Sequence, residues 1–178
     1  MRTYKWDNIE QITFEINNRK AIILPTDTVL GIISKVPELI YKIKKRPKHK
    51  KLVKFVDDIK NIANLNDKEK KVISKYWPGP LTIIKNNIGY RIPNHPQLLN
   101  LLKSIHWCYS SSTNLSGKNP INNIDQAKDT FIKNINNIVF VDEPQKEDKP
   151  STIISLDNYQ VLRNGIVDGL SIIKQLKD

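Results

Sequence analysis

Small polar and basic side chains gather in short segments of this chain, and each segment is suited to a small polar or anionic ligand. Lys44-Lys45-Arg46-Pro47-Lys48-His49-Lys50-Lys51 carries six fixed positive charges in eight residues. Lysine supplies point charges and arginine a planar fork, a combination that suits a triphosphate or an RNA backbone. The same residues would equally serve as a solvated basic helix end. Ser110-Ser111-Ser112-Thr113-Asn114-Leu115-Ser116-Gly117 follows an apolar run and offers a dense set of hydroxyl and amide donors and acceptors. Pro25-Thr26-Asp27-Thr28, with Gly31, follows the apolar run Ala21–Leu24. Polar residues at the carboxyl end of a strand are where α/β sheets bind ligands, although the segment also reads as a capped turn. Arg91-Ile92-Pro93 puts an arginine at a strand, where it either faces solvent or clamps a carboxylate. Trp77-Pro78-Gly79-Pro80-Leu81-Thr82 is a rigid turn that aims the next strand and leaves Thr82 available to a ligand.

Several familiar sites are excluded. The chain has no Gly-rich loop ending in Gly-Lys-Ser or Gly-Lys-Thr, no G-x-G-x-x-G and no G-x-S-x-G elbow. A nucleotide would therefore have to be held by side chains and other loops. His49, His95 and His106 have no metal-ligand spacing with one another or with Cys108. Cys108, between Trp107 and Tyr109, reads as core packing rather than as a nucleophile.

Helical spacing of Ile9, Ile12 and Ile16 predicts an opening helix. Further helices are expected over 38–45, 67–76, from Pro96 through Leu102, over 124–135 and over 167–176. Short apolar runs predict strands over 21–24, 52–56, 81–84, 89–92, 105–110, 138–141, 153–156 and 160–162. Glu143 to Lys149 reads as a charged surface loop. Strands outnumber helices and the two mix irregularly, which favours an α/β fold with a mixed, twisted sheet over a strict βαβ series.

The 178 residues suit one domain, with 39% hydrophobic and 26% charged residues. A formal net charge of +11 favours polyanionic partners, or reflects a lysine-rich surface. A single cysteine rules out a disulfide framework and fits a reducing compartment. The apolar runs fall short of the ~20 residues that span a bilayer, so a cytoplasmic protein without membrane contact is expected.

Taken together and in order, the segments resemble the YrdC-like family, the threonylcarbamoyl-AMP synthases. Residues 25–31 resemble its P-T-[DE]-T-x-x-G, and Lys44-x-Arg46-Pro47-x-x-Lys50-x-Leu52 its K-x-R-P-x-x-[KN]-P-L. Residues 77–82 are similar to its W-P-G-[PA]-[LV]-T, residues 91–96 to R-[VI]-P-x-H-P, and residues 112–117 to S-A-N-x-S-G. Pro150-Ser151-Thr152-Ile153 and Leu162-Arg163-x-Gly165 resemble its closing S-T-[VI] and L-R-x-G. The chain departs from the pattern at Leu30 (usually aromatic), Lys51 (usually proline), Phe55 (often histidine) and Thr113 (usually alanine).

The resemblance implies one YrdC-like domain over residues 1–178: a twisted, mixed, largely antiparallel sheet flanked by helices, with a positively charged concave site. It implies a nucleotidyltransferase that makes threonylcarbamoyl-adenylate and pyrophosphate from L-threonine, bicarbonate or CO2, and ATP with Mg²⁺. By the same resemblance Lys44, Arg46 and Lys50 hold the triphosphate, and Thr82 and Arg163 contact ATP. Ser110, Ser112 and Asn114 line the reaction centre. Thr26, Arg91, Ser112 and Ser151 contact threonine, with Arg91 on its carboxylate. A separate transferase complex would carry the product to the adenosine beside the tRNA anticodon. The alternative is a non-catalytic module that binds tRNA or duplex RNA.

Overall fold

The computed structural model describes residues 1–178. Its strands are β1 (Arg2–Tyr4), β2 (Ala21–Leu24), β3 (Gly31–Ser34), β4 (Val53–Val56), β5 (Leu81–Lys85), β6 (Ile88–Arg91), β7 (Trp107–Ser112), β8 (Ile138–Val141), β9 (Thr152–Ser155) and β10 (Gln160–Arg163). They form one sheet in the order β1-β8-β2-β3-β7-β4-β6-β5-β9-β10. The pairs β2/β3, β3/β7, β4/β7, β5/β6 and β9/β10 are antiparallel, and β1/β8, β2/β8, β4/β6 and β5/β9 are parallel. The sheet is thus mixed, with antiparallel pairs in a narrow majority, as expected.

Six helices flank it: α1 (Ile9–Asn17), α2 (Pro37–Lys44), α3 (Asp67–Ile73), α4 (Pro96–Ile105), α5 (Ile124–Thr130) and α6 (Gly169–Lys177). In α4, Pro96 opens the first turn, the His95 ring accepts a hydrogen bond from the Leu98 amide at 3.4 Å, and Leu98, Leu101, Leu102 and Ile105 form the buried stripe. In α3, Asn66 and Glu69 cap each other's backbone amides at 2.8 and 3.0 Å.

Three apolar clusters divide the core. Strand alternation sends Ile22, Ile33, Phe55 and Cys108 to one face, where α1 and α4 pack with Ile12, Ile16, Leu98 and Leu101. Ile23, Ile32 and Phe140 point to the opposite face, against Ile40 and Ile43 of α2 and Ala127 of α5. On that same opposite face, Val56, Leu81, Ile83 and Ile154 meet Ile73 of α3 and Ile172 of α6. Four helices therefore back the sheet. The two on the front leave the middle of the sheet uncovered.

The structure differs from the sequence expectations in several places. Neither β1 nor β3 is expected from the sequence; β1 is a three-residue, largely exposed strand that pairs in the sheet with β8 alone. The expected strand over 105–110 is displaced, because Ile105 completes α4 and His106 turns the chain with φ 63°. β7 runs on to Ser112, so Ser111 and Ser112 join Ser110 in the strand rather than in the following loop. The helix expected over 124–135 stops at Thr130, and Ile132–Asn137 tightens into a 3-10 segment, consistent with its run of asparagines. The helix expected over 67–76 stops at Ile73, ahead of the cis Trp77-Pro78 bond. No helix is long and apolar enough to cross a membrane.

Candidate functional site

Strand register lines up a row of side chains across the uncovered front of the sheet. Gly31 of β3 lies opposite Ser112 of β7, Ser110 opposite Val53 of β4, and Phe55 opposite Arg91 of β6. Thr82 of β5 lies opposite Ile153 of β9. Residues directly opposite in register share a face, so these positions form the floor of a cavity of about 260 Å³. The walls are Thr26, Thr28 and Val29 from the β2–β3 loop, and Arg46 and Lys51 from the α2–β4 segment. Pro120, Pro150, Ser151 and Arg163 complete the lining. Arg46, Lys51, Arg91 and Arg163 all line the cavity, and no acidic side chain does.

Arg91 is the most constrained of these cations, only 4% exposed. Its Nε donates to the Gly79 carbonyl at 3.0 Å, Nη1 to Thr28 Oγ1 at 2.9 Å and Nη2 to Asp27 Oδ1 at 2.5 Å. Phe55 stacks 5.7 Å from the guanidinium. Burial lowers the Arg91 pKa and the Asp27 carboxylate opposes that shift. Asp27 also accepts the Asn94 amide at 2.9 Å. The rigid turn at 77–80 thus contributes its Gly79 carbonyl to the site.

The β2–β3 loop is internally braced. Thr26 Oγ1 donates to the Val29 carbonyl at 2.7 Å and accepts the Thr28 amide at 3.0 Å. A Cβ at position 31 would lie 2.9 Å from Thr26 Cγ2, so glycine there lets the loop fold over the floor. Gln145 reaches across from the β8–β9 connection. Its Oε1 accepts the Thr26 amide at 3.0 Å, and its Nε2 donates to the carbonyls of Thr26 at 3.0 Å and Thr28 at 2.8 Å.

On the far side, Thr82 and Ser151 pair through their hydroxyls at 2.9 Å. Arg163 forks onto the Ser151 carbonyl from Nη2 at 2.8 Å and Nε at 3.1 Å, and Nη2 also reaches Ser151 Oγ at 3.2 Å. Burial and the Arg91 charge both lower the Arg163 pKa. A Cβ at Gly165 would come within 2.2 Å of the Pro150 carbonyl, which accounts for glycine closing this wall.

The basic segment splits by direction. Arg46 donates from Nε to the Lys50 carbonyl at 2.8 Å and from Nη2 to the Lys51 carbonyl at 2.9 Å, shaping its own loop while facing the cavity. The Lys50 side chain is exposed and outside the lining, whereas Lys51 lies within it. Lys44 is 1% exposed and absent from the lining. Its Nζ donates to the carbonyls of Ser112 and, at 2.7 Å, Asn114, and to Asn114 Oδ1 at 3.0 Å. Burial and the Arg46 charge lower the Lys44 pKa to about 7, against which the surrounding acceptors favour the protonated form. Asn114 is likewise outside the lining and ties to it through Ser112 Oγ at 2.6 Å.

Of the residues expected at the site, Thr26, Arg46, Thr82, Arg91, Ser110, Ser112, Ser151 and Arg163 converge on the cavity, and Lys44, Lys50 and Asn114 do not reach its surface. Thr28, Lys51 and Gln145 were not foreseen as site residues. Thr28 carried the signal of its place in the 25–31 motif; Gln145 carried none. Cys108 is fully buried and burial pushes its thiol pKa up to about 12, which fits the packing reading. No cluster of three or more His, Cys, Asp or Glu is placed to hold a metal ion.

The family Sua5_yciO_yrdC, described as "Telomere recombination", matches residues 15–165. A putative threonylcarbamoyl-AMP synthase of Methanocaldococcus jannaschii is 33% identical, over 89% of this chain and 86% of that protein. An uncharacterised protein of Mycoplasma pneumoniae is 30% identical over 86% of this chain, which spans only 34% of that longer protein. Among solved structures, P. abyssi Sua5 complexed with L-threonine superposes with a TM-score of 0.84 at 20% identity, over 98% of this chain and 60% of that one. E. coli YciO superposes with a TM-score of 0.80 at 21% identity, over 94% and 95%.

Proposed function

The chain belongs to the Sua5/YciO/YrdC family, and from that premise we propose that it is an L-threonylcarbamoyladenylate synthase, a nucleotidyltransferase of tRNA modification. The observation that carries this reading is the cavity: Arg46, Lys51, Arg91 and Arg163, no acidic lining residue, and hydroxyls from Thr26, Thr28, Thr82, Ser110, Ser112 and Ser151. Such a lining favours a ligand that is anionic and rich in hydrogen-bonding groups, as ATP and an amino acid are. The relatives named threonylcarbamoyl-AMP synthase, and the Sua5 structure holding L-threonine, support the choice of substrates.

In this reading the threonine amine attacks CO2 with loss of a proton, or bicarbonate with loss of water, to give a carbamate. A carbamate oxygen attacks the α-phosphorus of ATP, the Pα–O–Pβ bond breaks, and pyrophosphate leaves. No enzyme nucleophile is required, and catalysis rests on positioning and charge neutralisation. Arg46 and Lys51, which line the cavity, hold the triphosphate, and Thr82 and Arg163 contact the nucleotide. Ser110 and Ser112 flank the reacting phosphate. Arg91, whose donor fork is fixed by Asp27, Thr28 and Gly79, keeps its remaining N–H groups for the threonine carboxylate, and Thr26 and Ser151 read the rest of the amino acid. With no carboxylate in the lining, Mg²⁺ enters as the ATP complex, coordinated by phosphate oxygens and water. Residues 1–178 act as one unit, and a separate transferase passes the threonylcarbamoyl group to tRNA.

Pyrophosphate release from MgATP and bicarbonate, with and without L-threonine, tests the proposal. Threonine-dependent release is expected. A folded protein that binds RNA in a salt-dependent manner yet releases no pyrophosphate would shift the reading to an RNA-binding module, for which the exposed Lys45, Lys48 and Lys50 are the natural contacts.

A further inference from the structure

We infer that Lys44 is a positioning residue, an ammonium clamp that fixes the cavity-lining end of β7 against α2, and not a ligand of the triphosphate. The inference rests on the synthase reading for its consequence, while the clamp itself is a matter of geometry. An ammonium has three N–H donors. At Lys44 all of them are engaged, by the Ser112 carbonyl, the Asn114 carbonyl at 2.7 Å and Asn114 Oδ1 at 3.0 Å. The side chain is 1% exposed, so no donor is left to turn toward the cavity.

The backbone of the same residue holds the same loop. The Lys44 carbonyl, at the free end of α2, accepts the Ser116 amide at 2.9 Å. The last residue of one helix thus grips the segment after β7 through both its main chain and its side chain. From the opposite side the Thr113 amide donates to the Leu30 carbonyl at 2.8 Å, which ties the loop to the start of β3. The segment is pinned between two elements, and Ser112, immediately before it, faces the ligand cavity.

Asn114 relays the clamp. Its Oδ1 accepts from both Lys44 Nζ and Ser112 Oγ, at 3.0 and 2.6 Å, so the hydroxyl that lines the cavity is oriented by the lysine through the amide. Asn114 Nδ2 donates to the Leu115 and Lys118 carbonyls at 2.8 and 2.7 Å, completing its bonding. Lys44 forms no ion pair with a carboxylate. Carbonyl and amide oxygens alone compensate its charge. Removing the ammonium would leave those buried acceptors without a donor.

Amine acylation of the native protein, read by mass spectrometry with and without MgATP, separates a clamp from a ligand. Lys44 is expected to react at least tenfold more slowly than the exposed Lys50, at a rate that MgATP does not change, while Lys51, in the cavity lining, becomes protected. Labelling of Lys44 at the rate of an exposed lysine, with protection by MgATP, would overturn the inference. In Lys44→Met, amide hydrogen exchange across residues 113–118 is expected to quicken at least tenfold. Pyrophosphate release should fall through kcat, and the salt dependence of the ATP KM should stay as in the wild type. Unchanged exchange, or a flattened salt dependence, would also overturn it. If Lys44→Met does not fold, the acylation result decides. If the wild type releases no pyrophosphate, the synthase reading fails, and acylation and exchange still judge the clamp.

Discussion

Arg91, which lines the cavity, pairs with Asp27 outside the lining, and their side-chain exposures are 4% and 10%. A buried guanidinium that loses its carboxylate is left charged and unpaired, which costs about 3–5 kcal/mol. Asp27→Ala should therefore lower stability by about that amount in urea denaturation. Arg91→Ala should raise the threonine KM well above its effect on the ATP KM; equal effects on both would remove Arg91 from the carboxylate. Arg46 lines the cavity from the α2–β4 segment, so Arg46→Ala should cut pyrophosphate release by more than tenfold while far-UV circular dichroism stays native. Near-normal turnover would sink its assignment. These residues were legible in the sequence because each lies in a short motif whose chemistry suits an anion. The direction of Lys44 was not legible, since it depends on a strand some seventy residues away. A basic run in a sequence gives charges, and only the fold says which of them face inward.

At the scale of elements, the site depends on loops held by other loops. Gln145 lies in a segment that reads as charged and exposed, and nothing in its neighbours signals its role. Its terminal amide spans three backbone groups of Thr26 and Thr28, which no shorter or charged side chain there would satisfy in the same way. Gln145→Ala should raise the threonine KM and quicken amide exchange at 26–29, with a stability loss of about 1–3 kcal/mol from the exposed backbone groups. An unchanged KM would show that the β2–β3 loop holds its shape through Thr26 Oγ1 alone. Most helices and central strands were legible from apolar spacing. Boundaries slipped where the reason was not local: β1 exists through β8, and the β7 boundary is set by the turn at His106.

For the whole molecule, Cys108 provides a simple probe of integrity. Its thiol is raised from an ordinary value of 9.0 to about 12 by burial. The folded form therefore holds its proton more tightly than the unfolded chain. The resulting stabilisation is present below pH 9 and is lost as pH rises toward 12. Iodoacetamide at pH 8.5 should leave the folded protein unmodified and label it only after denaturation. Rapid labelling of the native state would contradict the packing of Cys108 in β7. Leu101→Ala, in the buried stripe of α4, should cost about 2–5 kcal/mol without altering the cavity.

The cavity draws on residues 26, 46, 82, 91, 110, 151 and 163, and its last wall closes only with β9 and β10. β9 adds to β5, and the β8–β9 connection carries the chain from one end of the sheet to the other. During synthesis on a ribosome, then, a chain that has emerged only as far as β8 already has most of its core strands but no closed pocket. Such long-range closure gives the fold a high contact order and slow completion. Nascent chains arrested before residue 151 should not retain MgATP, and competence to bind should arise late and abruptly as the final strands leave the exit tunnel.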